Sequence, residues 1–67
     1  MSIQRRIGEE VARARKQAGM TQQGLARTAK TRPANISRLE RGIQNPSMEF
    51  LERIATSLGR KIRIELE

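Results

Sequence analysis

Residues 21 to 42, TQQGLARTAKTRPANISRLERG, hold two short helical patterns separated by a break with room only for a sharp turn. Thr21 is a good cap for the first pattern. Leu25, Ala26 and Ala29 then fall at i, i+1 and i+4, which puts them on one helix face. Pro33 opens the second pattern, because a proline at the first helical position gives up an N–H that has no intrahelical partner there anyway. The same proline biases Arg32 away from helical angles, and so fixes the break. Ile36, Leu39 and Glu40 form the inner stripe of the second helix, and Gly42 suits its C-terminal end. Ala34, Ser37, Arg38 and Arg41 form the outer stripe, a face of cationic and hydrogen-bonding groups opposite a face that packs.

Two helices across a short bend, the second with such a face, meet the requirements for insertion into a DNA major groove. The stretch resembles the Cro/repressor helix-turn-helix family of the xenobiotic-response-element type. The resemblance is carried by Gln22, Leu25 and Ala26, by Ile36-Ser37-Arg38-Leu39-Glu40-Arg41-Gly42, and by Asn45-Pro46-Ser47, with Leu51, Ile54, Ala55 and Leu58 following in order. It covers about residues 3 to 59. Two positions depart from the family pattern: the tight-turn glycine is Lys30, and the usual Ser or Thr cap of the second helix is Arg32. The departures predict a slightly strained turn, and base readout cannot be transferred from a relative.

The chain has 67 residues, one domain whose single core is marginal without a disulfide, metal or partner. Cys, His, Trp and Tyr are absent, which excludes disulfides and thiolate or imidazole metal sites. No cofactor is expected. Neither a membrane span nor a signal-peptide apolar block is present in the sequence, so the expected location is cytoplasmic, on the nucleoid when bound to DNA. With no His, Cys or Asp, and no paired glutamates, enzymatic acid–base chemistry is disfavoured. The charge is unevenly placed. Residues 1–42 carry ten Lys or Arg and three Glu, a net +7, whereas residues 43–67 carry four of each sign. All the excess positive charge lies in the half with the two short helices, as a phosphate-facing surface requires.

Residues 3–18 read as a first helix: Ile3, Ile7, Val11, Ala14 and Ala18 recur at three- and four-residue steps, and Gly19 stops the run. On its exposed side Glu9 is spaced to pair with Arg13. The family resemblance implies that Arg15 reaches Glu40 at the end of the recognition helix; as a residue type it serves equally as a phosphate-seeking cation. Met20 suits a core plug between the first two helices. The resemblance implies that Gln22 bonds a DNA phosphate and braces the recognition helix. Gly24, unusual inside a helix, suggests a close backbone approach. For base contact the candidates are Arg38, which can grip guanine O6 and N7 together, Arg32, which reaches a base edge or a phosphate, and Pro33 and Ala34, which offer only apolar contact. Asn35, Ser37, Arg41 and Gln44 are candidate phosphate contacts. Ile43 is expected to fold back onto the core.

A fourth helix is expected from Pro46 or Ser47 to Gly59, with Met48, Leu51, Ile54, Ala55 and Leu58 as its buried stripe. Phe50, on the shoulder of that stripe, reads either as core or as interface. From Lys61 the chain alternates strictly: Ile62, Ile64 and Leu66 one way, Lys61, Arg63, Glu65 and Glu67 the other. That period of two predicts a strand, which a second copy would complete across a two-fold axis; a frayed terminus is the alternative. Residues 1–59 are thus expected to form the DNA-binding domain and residues 60–67 the dimerisation strand, with Phe50, Ile62, Ile64 and Leu66 at the interface. A terminal strand on a helical body is similar to the HigA-type antitoxins. The expected fold is all-α, a four-helix lambda-repressor-like domain with a C-terminal β-strand pairing across a dimer. The expected protein is a dimeric repressor that binds a palindromic operator in double-stranded DNA, not a membrane, with the antitoxin and autoregulator of a toxin–antitoxin operon as one form of that reading. A phage or restriction-modification regulator and a toxin-neutralising interaction module are the alternatives, and a cognate toxin is the conditional further partner.

Overall fold

The computed structural model describes residues 2–60, in which four helices follow one another: α1 (Ile3–Gln17), α2 (Gln22–Thr28), α3 (Pro33–Arg41) and α4 (Met48–Ser57). Among the described residues the fold is therefore all-α. The proposed strand at 61–67 lies outside them.

Three helices begin with a hydroxyl cap. Ser2 accepts from the Arg5 N–H, Thr21 from Gly24 and Ser47 from Phe50, each satisfying one of the donors a helix start leaves open. The start of α3 lacks a side-chain cap. Arg32 is extended there, at φ −102° and ψ 148°, and Pro33 follows with no N–H to satisfy. All four helices end alike, in a left-handed residue flanked by two backbone bonds to the last turn. For α3, Gly42 N–H donates to Leu39 and Ile43 N–H to Arg38; for α2, Lys30 donates to Arg27 and Thr31 to Ala26. The left-handed residue is Gly19, Gly42 or Gly59 in three helices and Lys30, at φ 58°, in α2.

The core lies where α2, α3 and α4 meet: Leu25, Ala26, Ala29, Ile36, Leu39 and Ile54 are buried, with Ile7, Val11, Met20, Phe50, Leu51 and Leu58 packed against them. The packing stripes of α2 and α3 are those their sequence periodicity predicts. Several other expectations are corrected. Ile3 is 70% exposed and Ala18 is exposed, because they stand at the two ends of α1, beyond the body it packs on. Met48, at the first position of α4, is 48% exposed for the same reason. Ile43 is 64% exposed and does not fold back. The helix-ending motif brings that position against the residue five before it, here Arg38, which offers no apolar partner. Arg13 pairs with Glu10, one turn back, rather than with Glu9. At Gly24 the nearest neighbour of an added Cβ is the Thr21 hydroxyl at 3.2 Å, so the close approach involves the helix cap and not another backbone.

Backbone contact occurs at Gly8 instead. A Cβ there would lie 2.6 Å from the Glu40 carbonyl oxygen and closer still to that of Leu39, so α1 crosses directly on the last turn of α3. Gly42 repeats the arrangement from the other side, since its Cβ would sit 2.8 Å from Arg5 Cα. These two glycines seat α3 against α1.

Candidate nucleic-acid interface

Ile36 and Leu39 turn inward, so α3 presents Arg32, Pro33, Ala34, Arg38 and Arg41 outward, and all five are exposed. Asn35 and Ser37 lie half-buried at the margins of that face. The four residues expected to meet bases thus share one surface with Arg41. Arg5 and Arg6, at the start of α1, are exposed, and Gly42 brings Arg5 close to the C-terminal end of α3. Lys30 is exposed on the turn that leads into α3.

Behind this face stands a polar bracket. Arg15 donates from Nε to Glu40 Oε2 at 2.7 Å and from Nη2 to Oε1 at 3.1 Å, a two-point grip, and from Nη1 to the Met20 carbonyl at 2.9 Å. Gln22 Nε2 donates to the same Glu40 Oε1 at 3.0 Å. The side chains of Arg15 and Glu40 retain only 12% and 8% exposure, so neither charge is left unpaired out of water. The hydrogen bond to Glu40 raises the Arg15 pKa above its already high value, with burial opposing. A raised pKa of a cation stabilises the fold below the unfolded value and is lost only as pH rises through the folded one. From the arginine side the pair is therefore insensitive to pH throughout the neutral range. One carboxylate ties α3 to α1 and to the first residue of α2.

At the start of α3, Asn35 Nδ2 donates back to Oγ1 of Thr31 in the preceding turn at 2.9 Å, and Asn35 Oδ1 accepts from Arg38 Nη1 at 3.3 Å. Gln44 follows the helix half-buried, its Oε1 shut from solvent with no donor in reach among the described residues. In α4, Phe50 packs on the core with its ring under the Arg53 guanidinium, 5.5 Å from the centroid. Ile62, Ile64 and Leu66 lie outside the described residues. No group of His, Cys, Asp or Glu among the described residues is arranged to hold a metal, and no described helix is long and apolar enough to cross a membrane.

A helix-turn-helix family model matches residues 11–64, most of the chain and the whole of α2, α3 and α4. The chain belongs to the XRE-type helix-turn-helix family. It is a DNA-binding transcriptional regulator, not an enzyme. Solved structures agree in fold. The clp gene regulator ClgR from Corynebacterium glutamicum superposes with a TM-score of 0.91 at 27% identity, over 92% of this chain and 80% of that one. A restriction-modification controller protein from Aeromonas hydrophila gives 0.85 at 24% identity, over 87% and 84%. A transcriptional regulator of the same family from Vibrio cholerae gives 0.82 at 24%, over 87% of this chain but 33% of its own longer one. No curated protein sequence matches at a significant level. In α1, sequence reasoning did not single out Gly8; the available signal was a glycine inside an otherwise regular helical pattern, which marks either a weak point or a close approach.

Proposed function

We propose that the protein is a sequence-specific repressor that binds a palindromic operator as a homodimer, with α3 in the major groove. The observation that carries this is the outward face of α3, cationic and exposed, on a helix held from behind by Arg15, Gln22 and the Gly8 crossing. In this reading Arg38 and Arg32 meet base edges, and Pro33 and Ala34 supply apolar contact. Gln22, Ser37, Arg41, Gln44 and the second amide N–H of Asn35 bind phosphates and set register. Gln22 suits the role because an amide nitrogen carries two hydrogens and Glu40 takes one. Gln44 suits it because its oxygen is the enclosed end of the amide.

A single reading helix spans too short a site to be selective, which favours two copies with recognition helices about 34 Å apart, one turn of the duplex. The apolar–charged alternation from Lys61 onward supports residues 61–66 as the coupling segment, with Phe50 beside it. The autoregulator of a toxin–antitoxin operon is a narrower form of the same reading, and it rests on that tail pattern alone. Selection of duplexes from a random pool tests the proposal. A palindromic motif with half-sites one helical turn apart is expected; recovery of no motif would overturn it.

A further inference from the structure

We infer that Thr31 is a positioning residue for base readout, acting through Asn35 on Arg38. The inference rests on the reading above, in which Arg38 contacts a base. A guanidinium only donates, so the Asn35 atom facing Arg38 Nη1 at 3.3 Å has to be the amide oxygen. The nitrogen then faces Thr31, whose hydroxyl accepts at 2.9 Å. The Asn35–Arg38 bond spans three residues within α3, a spacing at which side chains on one face meet, and the Thr31–Asn35 bond reaches back from the helix to the turn before it. Thr31 sits before the helix, half-buried, with its backbone N–H fixed on the Ala26 carbonyl at 2.8 Å. The backbone that carries its hydroxyl is therefore held in place, while Arg38 is an exposed, long side chain. Held at one Nη1 hydrogen, Arg38 keeps its remaining N–H groups for a two-point contact with a guanine edge. The chain Thr31–Asn35–Arg38 restricts the rotamers of Arg38 before DNA arrives, and reduces the ordering cost of binding. It also gives Thr31, which stands behind the reading face, control over preference at one base position.

The test is duplex selection with the full chain as wild type, Arg38→Ala, Thr31→Val, Thr31→Ser and the Thr31→Val/Arg38→Ala double variant, with thermal melts to confirm folding. Arg38→Ala should erase preference at one position. Thr31→Val, which keeps the shape and loses the acceptor, should weaken preference at that same position by about threefold or more. It should leave the other positions and the salt dependence unchanged. Thr31→Ser should restore wild-type discrimination, and Thr31→Val should add nothing in the absence of Arg38. If Thr31→Val does not fold, Thr31→Ala should show the same loss at the same position. Full discrimination in Thr31→Val, or a loss spread evenly over all positions, would overturn the relay while leaving Arg38 as the reader. An unchanged motif in Arg38→Ala would instead overturn the reader, and the relay with it.

Discussion

Lys30 occupies a left-handed conformation that costs a residue with a Cβ about 1 to 2 kcal/mol, and it does so where the other three helices of the domain use glycine. Lys30→Gly should therefore stabilise the fold by about 1 kcal/mol, part of the gain being offset by the looser unfolded chain. In a domain of this size that is a rise of about 4 to 8 °C in Tm, readable by circular dichroism. The same change removes an exposed cation beside the reading helix, so DNA affinity should fall as stability rises. A variant that gains no stability would show that the turn holds no strain. Arg38 and Gln22 separate two other roles. Arg38→Ala should cost about 1 to 3 kcal/mol on the best operator and relax one base position. Gln22→Ala should weaken binding evenly on all sequences, since phosphates carry no sequence information. Anisotropy titrations on the selected site and on one-base variants of it distinguish the two patterns.

At the scale of elements, the crossing of α1 on α3 has no side chain between the backbones at Gly8. Gly8→Ala forces the Leu39 and Glu40 carbonyls away and should cost about 1 to 3 kcal/mol, seen as a lower urea midpoint with unchanged slope. It should also tilt α3 and lower affinity beyond what the stability loss explains. What the sequence discloses follows from what is local. Leu25, Ala26 and Ala29, and Ile36 and Leu39, declare their faces by spacing alone, and Pro33 and Gly42 mark the ends of α3 by backbone chemistry. Ile43 and Met48 are apolar residues at helix boundaries, where periodicity has no neighbour on one side to argue from. Glu9 and Glu10 are both spaced to reach Arg13, and rotamers decide between them. The Gly8 contact depends on a residue more than thirty positions away, which no local pattern encodes. The Arg15–Glu40 geometry is equally non-local, and only a family resemblance points to it from the sequence.

For the whole molecule, the reading face lies within the basic half of the chain. If Arg5, Arg6, Lys30 and Arg41 each neutralise a phosphate, log K should fall with log salt at a slope of about −3.6, at about −0.9 per contact. A flat dependence between dilute and physiological salt would remove duplex DNA as the ligand. Assembly is the second property of this scale. Removing residues 60–67 should yield a monomer by analytical ultracentrifugation, with weak affinity for a palindromic site; a truncated chain that sediments as a tight dimer would move the interface elsewhere, most directly to the Phe50 and Arg53 surface of α4. The seating of α3 has a consequence for how such a regulator changes its target. The residues that mount the helix are Gly8, Arg15, Gln22, Ile36, Leu39, Glu40 and Gly42, and apart from Gln22 none is among those proposed to touch DNA. Positions 32, 34, 38 and 41 can then be exchanged as a set without altering the angle at which the helix is offered. A duplicated copy of this chain could acquire a new operator in a few substitutions, each intermediate remaining folded, and two such copies would diverge in address while keeping one chassis.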